Sequence, residues 1–470
     1  TSPIIVWFRR DLRLGDHPVV AAAVRSGRPL IPVFLLDEVV ETHGAAPKWR
    51  LGLGVRHLAR RLERMGSRLV LRRGRAADVL ESLVKETSAT AVWWSRLYDP
   101  DSIARDTAVK TRLTGIGVDA KSHPGHVLFE PWEVRTRAGG MYKVYTPYWK
   151  AVRGFEAAEP LPLPSRLPVP GAWPPSENFE NWRMGAAMRR GAGIVGRYAT
   201  VGEEAAHRRL NGFMACRIDA YDTARNFVAR EGTSGLSENL TYGEIGPQAC
   251  WRAGKRALAA GRKGAETFLK ELVWREFAYH LVYHTPQITC RNWKRDWDAF
   301  PWSEDENAPA VIAWKRGRTG IPFVDAGMRQ MYVTGIMHNR ARMIAASYLT
   351  KHLLSHWRIG LKWFADCLID WDAASNALGW QWSAGSGPDA APYFRIFNPI
   401  TQLDKFDADR DYTTRWIAEG HSRPAPEALQ YFDAIPESWP ISPRDPYPDP
   451  IVTVGDGRER ALAAYENRGF

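Results

Sequence analysis

At 470 residues the chain is too long for one ordinary core, so two domains are expected, and a hydrophobic content of 45% supports a globular protein. No stretch approaches the roughly 18 uncharged apolar residues of a membrane span, and the apolar run at the start ends too soon in charge for a secretory leader, so a cytoplasmic monomer is expected. The net charge of +12 favours a polyanionic partner through phosphate contacts.

Residues 1–8 are mostly apolar, as in a buried parallel strand, and further strands are predicted at 30–36, 68–71, 91–94 and 118–122. Helical patterns at about 18–26, 48–65, 75–87 and 99–114 separate them. One helix per crossover predicts a doubly wound parallel α/β sheet over residues 1–130. No Gly-x-Gly-x-x-Gly follows the first strand, which argues against ordinary dinucleotide binding there. The prolines from Pro160 to Pro175 mark residues 131–200 as an irregular connector. Beyond it, helical periodicity at 203–230, 242–260, 264–284, 322–334, 337–356 and 361–369 predicts an all-α domain over residues 201–470. Cys216, Cys250, Cys290 and Cys367 lack Cys-x-x-Cys spacing and read as reduced packing residues. No metal site is expected.

The helical half carries the residues suited to chemistry. Gly232-Thr-Ser-Gly-Leu-Ser-Glu-Asn-Leu240 is a hydroxyl-rich loop, and Thr241-Tyr-Gly-Glu244 reads as a capping box opening a helix. Hydroxyls and free amides at a helix start suit a phosphate, although a capped loop without ligand shows the same pattern. Glu271, Trp274, Arg275 and Ala278 follow the i, i+3, i+4, i+7 spacing of one helix face, and Glu271 with Arg275 reads as an ordinary surface ion pair. Asn339, Arg342 and Met343 share a face of the 337–356 segment. The densest stretch is 368–383, where Asp370 and Asp372 precede Asn376, and Trp380 and Trp382 flank Gln381. Two carboxylates in an aromatic setting suit a polar ligand in an apolar pocket, and equally the surface acids of a helix end.

Together these stretches resemble the photolyase/cryptochrome family of flavoproteins. The resemblance rests on Asp370-x-Asp372, Asn376, Gly379-Trp-Gln381, the run Asp389–Pro399, Met337–Met343 and the N-terminal Trp7–Asp16. It implies that Tyr221, Thr233, Ser234, Gly235, Leu236, Ser237, Arg342, Asp370, Asp372 and Asn376 hold FAD. The loop would grip the pyrophosphate, the Arg342–Asp370 pair would lie beside the isoalloxazine, and Asn376 near its N5. Glu271, Trp274, Asn339 and Met343 would face a DNA lesion, with Arg225, Arg340, Trp382 and Gln402 at DNA-contacting positions. Trp380, Trp357 and Trp302 match a chain carrying electrons from the surface to the flavin. Trp302 aligns only by allowing two extra residues before Trp314.

The resemblance further implies an antenna pigment in the first domain, whether folate, deazaflavin or flavin. The activity it implies is light-driven repair of cyclobutane pyrimidine dimers in UV-damaged DNA, by electron transfer from excited reduced FAD. The chain is most similar to the class I enzymes. A cryptochrome photoreceptor and a (6-4) photolyase are the rival readings. Several residues depart from the family pattern: Gly235 where Arg is frequent, Glu238-Asn239 for a Pro-aromatic pair, Ile336 for Trp, and Trp371 between the aspartates.

Overall fold

The computed structural model describes residues 2–389 and 394–470, so Ala390–Tyr393 of the predicted motif lie outside the described residues. Strands β1 Ile4–Phe8, β2 Leu30–Leu36, β3 Val70–Arg73, β4 Ala91–Ser95 and β5 Asp119–His123 form one parallel sheet in the order β3-β2-β1-β4-β5. Helices of eight residues or more are numbered, and in this half they are α1 Pro18–Arg25, α2 Ala45–Arg64, α3 Ala76–Thr87 and α4 Pro100–Gly115. β1 and β2 are buried along their whole length, which is why they read as unbroken apolar runs. β3 begins two residues later than the apolar pattern predicts and runs into Arg72-Arg73. Its outer edge is closed by the proline-rich segment: Glu177 N–H donates to Leu71 O at 2.8 Å and Ser176 Oγ accepts from Leu71 N–H at 2.9 Å.

The remainder is helical: α5 Tyr145–Val152, α6 Glu203–Cys216, α7 Pro247–Ala259, α8 Ala265–His284, α9 Pro322–Thr334, α10 Asn339–Ser347, α11 Trp357–Cys367, α12 Ala373–Ala384, α13 Pro399–Phe406, α14 Pro426–Ala434 and α15 Val454–Glu466. Three expectations need correction. The single helix expected over 203–230 is α6 followed by two short turns, because the chain folds back until Gly232 meets Ala224, where a Cβ would lie 2.5 Å from Ala224 O. Thr241–Glu244 opens no helix: Thr241 ends a short helix, Ser237–Thr241, Gly243 takes a φ of +63°, and α7 waits for Pro247 at its first position. The helix expected over 337–356 starts at Asn339, widens into a π turn at Tyr348–His352 and breaks where Leu354 takes a φ of +50°. The cysteines are all free, but Cys216 and Cys290 are exposed, and only Cys250 is fully buried packing.

The sheet and the helices share a polar seam. Glu203 accepts from the backbone amides of Leu14 and Gly15 at 2.8 and 3.0 Å, and Arg13 donates to Gly243 O at 3.0 Å. A Cβ on Gly243 would lie 2.2 Å from Arg10 O, so only glycine permits that approach. Glu276 of α8 accepts from Leu128 N–H at 2.6 Å and pairs with Arg275 at 2.8 Å.

Burial pushes the Glu276 carboxyl from 4.5 up to about 7, against the opposing pull of Arg275 and the two amides. The folded state therefore holds a proton that the unfolded chain releases near 4.5. The stability from this group is complete below that pH and is lost as pH rises through about 7. Replacing the carboxyl by an amide, Glu276→Gln, is expected to flatten the fall in urea-unfolding free energy between these two pH values. An unchanged slope would show that Glu276 is ionised throughout.

Candidate functional site

α11 ends at Cys367, and the chain turns through the buried Leu368 and Ile369 to deliver two carboxylates to one place. Asp372 caps α12, accepting from Ser375 N–H at 2.7 Å, and its other oxygen accepts from the Tyr279 hydroxyl of α8. The Asp370 carboxylate is 2% exposed and faces one Arg342 nitrogen, with contacts of 2.8 and 3.1 Å. Ser237 Oγ donates to the same carboxylate at 2.7 Å, which ties the hydroxyl loop to the aspartate. Asn376, buried on α12, donates to Asp372 O at 2.9 Å. Arg10, from the end of β1, faces the same cluster: burial works against its charge, yet Tyr279, Asp99 and Asp372 hold it above its ordinary value. These acids are thus matched by donors and cations and are not the loose surface acids of a helix end.

The loop and α12 leave room beside this cluster. Thr233 and Ser237 are exposed, Gly235 takes a φ of +66°, and among the described residues the amides of Ser234, Gly235 and Ser237 donate to no protein acceptor. Leu236 is buried beneath them. α12 is buried on most sides, but Ser375 and Gly379 lie open, with nothing within 4 Å of where a Gly379 Cβ would stand. Free amides and hydroxyls at one end, and a charged pair with an amide beside an open helix face at the other, fit a dinucleotide carrying a polar ring. The expected FAD therefore suits these residues.

Beside this region, Glu271 pairs with Arg225 and not with Arg275, which turns inward to Glu276 and to His126 O at 2.9 Å. Trp274 stacks on Tyr145 with centroids 3.7 Å apart. Tyr221, expected at the cofactor, packs on Phe213 and Phe268 beneath Arg225. Asn339 is exposed, with its Nδ2 3.8 Å from Met343 Sδ. Arg340 lies over Phe406 at 4.3 Å and bonds Asn226. Gln402 on α13 has its Oε1 buried without a hydrogen-bond partner among the described residues, and Trp382 stands half-buried beside Phe397. Ile336 packs near Ile369 and Trp49, filling space at the seam between α2 and the Asp370 turn. His338 caps α10 through Nδ1, and burial with Arg340, Arg342 and Arg225 pushes it down to about 4.

The three expected tryptophans are all buried within one hydrophobic cluster. Trp380 packs against Gly360 of α11, where a Cβ would lie 2.0 Å from its ring. Trp357 begins the same helix and donates to Asn292 Oδ1 at 2.7 Å. His356 lies between Trp357 and Trp302, at centroid distances of 5.4 and 5.2 Å. Trp302 is not at the surface as expected: it is 8% exposed, because Trp297 stacks over it at 5.5 Å and Phe300 closes its flank. A polar cavity of about 260 Å³ reaches it between Arg291, Arg295 and Arg358.

Sequence reasoning missed Arg10, Arg50, Arg209, Glu244 and Tyr279. Arg50 of α2 is wholly buried with Glu238 and Glu244, about which no local pattern gives notice. Only the unexpected acid at Glu238, in an otherwise small and hydroxyl-rich loop, hinted that a cation must come from elsewhere.

Comparison with known proteins agrees with this geometry. Residues 4–165 match the DNA photolyase family model and residues 268–467 the FAD binding domain of DNA photolyase. The chain is 44% identical to a deoxyribodipyrimidine photo-lyase of Agrobacterium fabrum, covering 99% of this chain and 98% of that one. It is 34% identical to the Escherichia coli protein of the same name, covering 98% of each. Among solved structures, a class III photolyase from Agrobacterium tumefaciens superposes with a TM-score of 0.90 at 43% identity, covering 100% of this chain and 98% of that one. A Synechocystis cryptochrome gives 0.81 at 26% identity, covering 98% and 99%. That class III neighbour supports a photolyase without supporting the class I assignment expected from the sequence. With an N-terminal parallel sheet and a C-terminal helical FAD-binding domain, the chain belongs to the photolyase/cryptochrome family.

Proposed function

We propose that this protein repairs cyclobutane pyrimidine dimers in DNA under blue light, as a monomer in the cytoplasm. The observation that carries the reading is the Ser237–Asp370–Arg342 cluster beside the open face of α12. The domains are taken as 1–130 for an antenna pigment, 131–200 as connector and 201–470 for catalysis. Bound FAD, when reduced, supplies the photoexcited electron that splits the cyclobutane ring and is then returned.

The chain's own residues do the rest. Arg342 and Asp370 hold the ring and balance its charge, while Ser234, Gly235 and Ser237 offer amides to the pyrophosphate. Glu271 meets the polar edges of the paired bases, accepting from a pyrimidine N3–H when ionised or donating to a carbonyl when protonated, and Asn339 donates to a carbonyl. A flipped dimer leaves the stack to enter such a pocket, and Trp274, Trp382 and Met343 give it apolar walls. Arg225 and Arg340 neutralise phosphates and fix register without reading sequence.

A (6-4) lesion also needs a proton donor for group transfer between the bases. Asn339 and Met343 do not titrate, and His338 is neutral near pH 7 because burial and three arginines hold it near 4. Asn376 stands where a photoreceptor of this family commonly carries an acid or a cysteine, which favours repair.

Under blue light the reduced protein is expected to restore thymines from cyclobutane dimers and to leave a (6-4) oligonucleotide intact. Glu271→Ala should cut repair by roughly tenfold or more, the scale of a lost charged hydrogen bond. Conversion of the (6-4) substrate alone would refute the assignment.

DNA affinity should fall steeply between low and physiological salt. Arg225→Ala should weaken damaged and undamaged duplexes alike and lower the salt slope by about 1. Salt-independent binding in a filter assay would rule out the phosphate contacts.

Trp380→Phe should block light-driven reduction of bound oxidised FAD, while protein reduced chemically beforehand keeps its repair yield. An unchanged photoreduction rate, followed by absorbance, would remove Trp380 from the electron path.

A further inference from the structure

We infer that the N-terminal domain is part of the flavin site, with Arg50 as the positioning residue of the 233–237 loop; this rests on the FAD reading above. The loop cannot hold its own shape. It lacks a proline after Ser237, Gly235 sits in the left-handed region, and the helix it opens, Ser237–Thr241, is too short to be stable alone.

Its rigidity comes from the residues that depart from the family pattern. Glu238 accepts from Arg50 Nε at 2.5 Å, Thr200 N–H at 3.0 Å and Arg209 Nη1 at 2.9 Å. Glu244, just beyond, accepts from Arg50 Nη1 and Nη2 at 3.1 and 2.7 Å, and from Asn239 Nδ2 at 2.6 Å. Arg209 Nη1 also donates to Gly235 O and Asn239 Oδ1, both at 2.9 Å. The side chains of Arg50, Glu238 and Glu244 are fully buried, so water cannot replace the bonds among these three.

The brace leads directly to the ring end of the site. Ser237 adjoins Glu238 and donates to Asp370, which holds Arg342. One guanidinium on α2 thus sets the loop, and the loop sets the charged pair. Arg50 does this because its planar fork bonds two carboxylates at once, which an ammonium at the end of a flexible stem cannot do. Arg61, further along α2, binds Glu203 and Glu204 at 2.9 and 2.8 Å and makes no ion pair with the loop.

The test measures FAD release from full-length holoprotein by recovery of flavin fluorescence. Arg50→Lys and Arg209→Gln should each release FAD roughly tenfold faster than the parent at unchanged far-UV circular dichroism, while Arg61→Gln keeps the parent rate. Should Arg50→Lys fail to fold, Glu244→Gln, which weakens the same Arg50 contact from the other side, takes its place and should release FAD equally fast. Parent-like release from the loop variants, or equal acceleration in Arg61→Gln, would overturn the inference. A parent that binds no FAD would overturn the flavin reading as well, whereas a parent that binds it with unmoved variants overturns only this inference.

Discussion

A guanidinium removed from water is tolerable only if carboxylates meet it with good geometry, and in this protein that condition joins two domains. Arg50 projects from the sheet domain and satisfies Glu238 and Glu244 of the helical domain, with no exposed atom among the three side chains. Deleting Arg50 leaves the buried Glu244 carboxylate without its cation, at a cost of about 3–5 kcal/mol. The loop that offers its amides, the turn that presents Asp370, and the approach of Gly243 to Arg10 all depend on that seam staying closed.

In the site, Asp370 and Asp372 each have at least one partner from a distant part of the chain. Asp370 takes Arg342 and Ser237, while Asp372 takes Tyr279 and the first turn of α12. Satisfied charges of this kind hold their geometry before any ligand arrives, which lowers the ordering cost of binding. The edge that carries Arg225, Glu271 and Asn339 is built differently. Arg225 and Glu271 are partly open and pair with each other, and Asn339 is exposed, so solvent reaches these groups as it does not reach Asp370.

The aromatic residues divide in the same way. Trp380 and Trp357 are locked in the core against Gly360 and Asn292. Trp302 is covered by Trp297, and a small cavity between arginines opens onto it.

Much of this was legible in the sequence by itself. The all-parallel sheet follows from unbroken apolar runs such as 30–36, because a strand buried on both faces has no polar side to alternate. The pairing of Asp370 with Arg342 followed from motifs long and irregular enough to identify the family. What the sequence could not decide was every feature set by contacts between remote segments. The breaks at Gly232 and Leu354 override local helical periodicity, and Glu271 chooses Arg225 over its i+4 neighbour because the turn after α6 brings that arginine alongside. The Arg50 brace spans 188 and 194 positions. Its partners carry no spacing rule, since only the folded chain determines which buried cation a buried acid will meet.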